Sequence, residues 1–80
     1  MAKFSQAQFD DFAHRVKDAL DEAGLAIESQ RPIDYGLCLL LHGGGMLNLY
    51  NGKKGFSAVA AGKLSEQEKS SIMDAVSPLL

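Results

Sequence analysis

The sequence predicts an α+β protein, a two-layer sandwich in the order helix, four antiparallel strands, helix, with both helices on one face of the sheet. Three observations lead there. Apolar residues recur at three- and four-residue steps near each end of the chain, β-rich runs fill the middle, and Asn51-Gly52 and Gly43-Gly44-Gly45 punctuate those runs. The 80 residues, 46% of them hydrophobic, give one domain over 1–80 with a small core and leave no room for a second.

From Ser5 to Ala23, the residues Phe9, Phe12, Ala13, Val16, Ala19, Leu20 and Ala23 form one apolar stripe of an amphipathic helix. Ser5 and Gln8 have capping-box spacing, Phe4 and Phe9 are placed for a hydrophobic staple, and Gly24 suits the left-handed residue just past the end. The opposite face, with Asp10, Asp11, Arg15, Asp18, Asp21 and Glu22, is a solvated helix face. Leu25–Ser29 alternates as a first strand, and Arg31–Asp34 is a connection. Tyr35–His42 is a second strand, and Met46–Tyr50 and Gly55–Ala61 make a hairpin around Asn51-Gly52. The last helix starts at Ser65, again with Glu68 at capping-box spacing, and Ile72, Val76 and Leu79 share one side before Pro78 marks the stop.

With Asn51-Gly52 as a two-residue turn, Tyr50 pairs with Lys53, Leu49 with Lys54, Asn48 with Gly55 and Leu47 with Phe56. With the three glycines as the preceding loop, His42 pairs with Met46, Leu41 with Leu47 and Leu39 with Leu49. One face then holds Leu37, Leu39, Leu41, Leu47, Leu49, Phe56, Ala58 and Ala60, the expected core. The other holds Cys38, Leu40, His42, Met46, Asn48, Tyr50, Lys53, Ser57 and Val59. An open antiparallel face normally shows polar residues to water, so the apolar members of this second face call for a cover: a second copy, another domain or a flat ligand.

Composition removes several function classes. A net charge of -2 is not the strongly basic balance of most nucleic-acid proteins, so any such contact must be local. The single cysteine, Cys38, allows no internal disulfide and no four-thiolate zinc site, which makes the reducing cytoplasm the expected compartment. The start lacks the apolar core of a signal peptide, and the longest apolar run, Leu37–Leu41, is far too short for a bilayer, so a soluble protein with no membrane partner is expected.

Catalytic motifs fare no better. His42-Gly43-Gly44-Gly45 resembles an oxyanion loop, but no Gly-x-Ser-x-Gly elbow accompanies it and a turn is the better account. The stretch from Gly45 to Lys53 has the wrong glycine spacing for a phosphate loop. His14, Cys38 and His42 stand at no recognised ligand spacing, so no metal and no cofactor is expected. Nothing singles out a nucleophile and base, and the chain is not expected to be an enzyme. Lys53-Lys54, with Lys63 at the end of the same hairpin, is either a pair of solubilising gatekeepers or a phosphate contact beside Asn48 and Tyr50. Tyr35 and Tyr50 are expected as half-buried packing residues.

The segments Pro32-Ile33-Asp34-Tyr35-Gly36, Leu47-Asn48-Leu49-Tyr50-Asn51-Gly52-Lys53-Lys54-Gly55 and Ala61-Gly62-Lys63 resemble the small TATA-binding-protein-like domain found in front of bacterial type-three ribonucleases H and in related short bacterial proteins. The resemblance covers residues 32–63. It implies a curved antiparallel sheet backed by helices, whose open face or hairpin meets duplex nucleic acid or an RNA/DNA hybrid. In that family's namesake the open face is apolar and carries asparagines, similar in kind to Leu40, Asn48 and Val59. The chain departs from it in having one copy of the unit, no ribonuclease H catalytic domain and an acidic first helix. A double-stranded-RNA-binding fold is disfavoured because Ser65-Glu66-Gln67-Glu68 has the wrong sign for phosphate.

The expected function is a small non-catalytic nucleic-acid-binding module, weak and salt-dependent, using Asn48, Tyr50, Lys53, Lys54 and Lys63. The alternative is a homodimerisation or protein-interaction domain that uses Cys38, Leu40, His42, Met46, Ser57 and Val59 on the same face.

Overall fold

The computed structural model describes residues 3–80 and has the predicted element order. Helix α1 spans Gln6–Glu22, strands β1 to β4 span Ile27–Ile33, Gly36–Leu41, Gly45–Gly52 and Gly55–Gly62, and helix α2 spans Glu66–Val76 before a 3₁₀ turn at Ser77–Leu79. The strands form one antiparallel sheet in chain order, β1-β2-β3-β4. Each strand therefore pairs with its neighbour in sequence, and the helices cover one face.

Local chemistry sets the helix ends. The Ser5 hydroxyl accepts the Gln8 N–H at 3.2 Å while the Gln8 side chain accepts the Ser5 N–H at 2.8 Å, and Ser65 and Glu68 repeat the exchange at 3.1 Å each way. At the other end of α1, Gly24 takes φ 79 and donates to the Asp21 carbonyl at 3.0 Å, and Leu25 donates to Leu20 at 2.8 Å. This double bond pattern satisfies two orphan carbonyls and needs a residue without Cβ strain at the left-handed position. The expected staple is replaced. Phe4 stacks on Phe56 of β4 at 4.4 Å, and Phe56 stacks in turn on Phe12 at 4.3 Å, which gives the N-terminal segment more aromatic contact than Phe9 alone offers.

The core joins Phe9, Phe12, Ala13, Val16 and Leu20 of α1 and Ile72 and Val76 of α2 to Leu39, Leu41, Leu47 and Leu49 of the sheet. Leu37, Phe56, Ala58 and Ala60 pack against the same cluster, so the predicted core face is the observed one. The registers are not. Gly52 pairs with Gly55, Asn51 with Phe56 and Leu47 with Ala60, which makes Lys53-Lys54 the turn instead of Asn51-Gly52. Leu40, not His42, pairs with Met46, and Leu37 pairs with Leu49. Both departures are by an even number of residues, and the side-chain period of two leaves every residue that stays in a strand on its assigned face, while His42 and Lys53 fall in loops outside the strands.

Tertiary demands explain both departures. The β3–β4 pairing brings Phe56 under α1, and Asn51 is needed elsewhere: its amide donates to the Phe4 carbonyl at 2.8 Å and its Oδ1 accepts the Phe4 N–H at 3.4 Å. The loop before β3 splays because His42 donates to the Ala26 carbonyl at 3.0 Å while Gly45 pairs with Gly62. A Cβ on Gly45 would meet the Leu64 side chain. Strand β1 runs through Arg31-Pro32, read above as a connection, because it is an edge strand on which a missing N–H costs little. The β1–β2 turn is then Asp34-Tyr35, and Tyr35 lies outside the strand assigned to it.

Candidate functional site

The sheet face away from the helices is built in three rows. The middle row runs Arg31, Cys38, Asn48, Val59 from β1 to β4. One row toward the turns lie Ile33, Gly36, Tyr50 and Ser57, and one row away lie Ser29, Leu40, Met46 and Ala61. None of these twelve residues is acidic. Arg31 supplies a cation at one edge, and the Lys53-Lys54 turn supplies two at the corner beyond Tyr50.

Exposure across the face is uneven. Leu40, Met46, Asn48 and Tyr50 are half-buried, Ser57 is exposed, and Val59 is 52% exposed. Cys38 is buried at 2%, because a short thiol on an inner strand is flanked by the longer Arg31 and Asn48. It belongs to the floor of the face and offers no contact surface. The face is thus a shallow apolar floor with an amide in the middle and cations at its margin.

Two predicted residues stand apart. Lys63 follows β4 at the end opposite the Lys53-Lys54 turn, about 26 Å away for eight strand residues at ~3.3 Å each. Its N–H donates to the Gly44 carbonyl at 3.1 Å. His42 lies at the same distant end of the sheet, in the β2–β3 loop, exposed, with Nδ1 3.7 Å from the Glu28 carboxylate. The structure therefore brings Asn48, Tyr50, Lys53 and Lys54 together and leaves Lys63 and His42 elsewhere. His14, on the outer side of α1, sits 3.5 Å from Asp18, so His14, Cys38 and His42 do not converge. Among the described residues no group of three His, Cys, Asp or Glu side chains could hold a metal ion.

Charge is divided between the layers. Eight of the ten acids lie on α1 and α2 with only three of the eight basic residues, so the sheet, turns and N-terminal segment carry the positive excess. Among the described residues no carboxylate comes within ion-pair distance of Arg31, Lys53, Lys54 or Lys63. The N-terminal segment adds to the lysine corner, since the Lys3 N–H donates to the Gly52 carbonyl at 2.9 Å.

Sequence reasoning missed Arg31, Asn51 and Tyr35. Arg31 was lost with the strand boundary. Asn51 follows Leu47 and Leu49 in period two, so its core-side parity was a usable signal. Tyr35 is 77% exposed with φ 60, where the expectation was a half-buried packing residue. No helix among the described residues is long and apolar enough to cross a membrane. Compared with known proteins, the chain matches no protein-family model, no curated protein and no solved structure.

Proposed function

We propose that the chain is a small non-catalytic nucleic-acid-binding module that lays its open sheet face and the 50–54 hairpin on a duplex or an RNA/DNA hybrid. The observation that carries this reading is the charge division: a face whose paired residues include no acid, edged by Arg31, Lys53 and Lys54, with Glu28 at the β1 bulge beside His42, and the acidic helices on the other side of the sheet. Phosphates would meet the lysines, which position without reading sequence. Asn48 would offer a donor and an acceptor to base edges or a 2′-hydroxyl, and Leu40, Met46 and Val59 would lie on sugars. A broad shallow groove suits a shallow open sheet face, and RNA-containing helices present one on their minor-groove side. The acidic helices repel the same phosphates and so fix which face docks. The likeness to the TATA-binding-protein-like family supports the same reading.

Titration with duplex, hybrid and single-stranded oligonucleotides at low salt, followed by NMR shift mapping, tests it. Shifts at Asn48, Tyr50, Lys53 and Lys54 are expected. Binding to neither the duplex nor the hybrid would overturn it.

A second reading, self-association through the same face, rests on the apolar floor formed by Leu40, Met46 and Val59. Sedimentation decides it: a dimer that Leu40→Lys makes monomeric supports self-association, and a monomer at high concentration removes it.

A further inference from the structure

The least economical residue in the molecule is Tyr35. It is the second residue of the two-residue turn between β1 and β2, a position with φ 60 that glycine or asparagine takes without strain. Among the described residues it is also the most exposed of the large hydrophobic side chains, 77% accessible against 52% for Val59 and Leu80. The four phenylalanines stack among themselves, whereas among the described residues neither tyrosine has an aromatic partner. Neither hydroxyl enters a hydrogen bond with another described residue. Strain and exposure at one side chain, with no aromatic or hydrogen-bond partner in return, point to a contact outside the chain.

The surroundings give that contact its chemistry. Tyr35, Tyr50, Asn51, Gly52 and Lys53 line a cleft of about 390 Å³ at the turn end of the open face. Aromatic rings come from two different strand ends, and Gly52 between them projects no side chain. A Cβ built on Gly52 meets only the Gly55 carbonyl, at 3.7 Å, so the glycine keeps the cleft open where a larger residue would fill it. Lys53 stands at the rim with Lys54 and Lys3 close by in the chain path, and Asp34 is the one acid in these two turns.

The platform is fixed in advance. The Tyr35 carbonyl accepts the Asn51 N–H at 2.8 Å, and Asn51, 7% exposed, is itself tied through its side chain to both the N–H and the carbonyl of Phe4. A ligand that stacks on Tyr35 therefore has no backbone to order, which removes one of the usual costs of binding.

We propose that this cleft takes one unpaired nucleobase, stacked on Tyr35 with Tyr50 as the second wall, while Lys53 meets the adjoining phosphate. The proposal rests on the nucleic-acid reading above and narrows it to a junction, with a duplex or hybrid on the sheet face and a single-stranded extension at the turn end. A base inside a duplex has both faces covered by its neighbours, so only an unpaired base offers a face to Tyr35. The cleft has room for a base and its sugar but no glycine-rich phosphate cradle, so a free nucleoside triphosphate is not the ligand it fits.

The test uses the full chain and a short hybrid duplex, either blunt or with a three-nucleotide extension carrying 2-aminopurine, whose fluorescence stacking quenches. The same extension free in solution is the third probe. Wild type should quench the extended probe and bind it more tightly than the blunt one. Tyr35→Gly should abolish the quenching and lower affinity for the extended probe about tenfold, the loss of one stacked base. Its blunt-duplex affinity should be unchanged and its melting midpoint equal or higher, because glycine accepts φ 60 freely. Tyr35→Phe should retain the quenching. Blunt duplex bound with no gain from the extension, or full quenching by Tyr35→Gly, overturns the cleft and spares the sheet face. Extended and free single strands bound with the blunt duplex ignored overturns the sheet-face reading, leaves the cleft as a single-strand site and so rejects the junction. No binding of any probe overturns both.

Discussion

Asn51 concentrates more of the structure than any other polar residue. It is the sole buried polar residue among those described, and its amide closes both backbone groups of Phe4 while its own N–H holds the Tyr35 carbonyl. Removing the side chain strands two partly buried backbone groups, so Asn51→Ala should cost about 1 to 3 kcal/mol in denaturant unfolding. A change within about 0.5 kcal/mol, the usual range for a surface site, would show that water replaces the amide freely. The residue's role was half legible. Asn51-Gly52 is the strongest local hairpin signal in the chain, and local signals speak for a turn. What overrides it is a contact 47 residues away in sequence, which no local pattern carries. Tyr35 escaped for a related reason, since its exposure depends on where β1 ends.

At the scale of elements, legibility tracks the range of the interactions. Both capping boxes and the glycine stop of α1 involve residues within five positions of one another and were readable from spacing. Ser65→Ala should accordingly cost about 1 kcal/mol, measured by thermal or denaturant melts, as the loss of one cap. Strand faces were readable as well, because parity survives any even slip. Strand registers were not, because the β3–β4 pairing answers to Phe56 and its stack on Phe4 and Phe12. Adjacent residues of β3 give the sharpest check on the faces. Leu49 is fully buried and Asn48 is half-buried on the open side, so Leu49→Ala should cost about 2 to 5 kcal/mol and Asn48→Ala about 0.5 or less. Equal losses in denaturant melts would show that the register or the burial assigned to these two residues is wrong.

At the scale of the whole molecule, the net charge of -2 misleads because it averages two layers of opposite sign. A formal count says that phosphate should be repelled, whereas a phosphate approaching the sheet meets Arg31, Lys53 and Lys54 before it meets any helix. The Debye length is about 10 Å at 0.1 M salt, so in moderate salt the lysine corner acts largely screened from the far acids, and in low salt it does not. Two consequences separate. With about two or three phosphates neutralised, raising the salt fourfold should weaken binding by roughly ten- to fortyfold, and the affinity should be about micromolar or poorer. Replacing Asp10 and Asp11 by Asn should strengthen binding at low salt and lose that effect as salt rises, because it removes only long-range repulsion. Lys53→Glu with Lys54→Glu acts at contact distance instead. Both side chains are exposed in a turn and make no ion pair with a described residue, so the fold should melt unchanged while oligonucleotide binding disappears at every salt concentration. Calorimetric melts and anisotropy titrations on the same samples test this directly. Binding that survives the double reversal would move the phosphate contact off the hairpin, and the remaining cation of the open face, Arg31, would be the place to look.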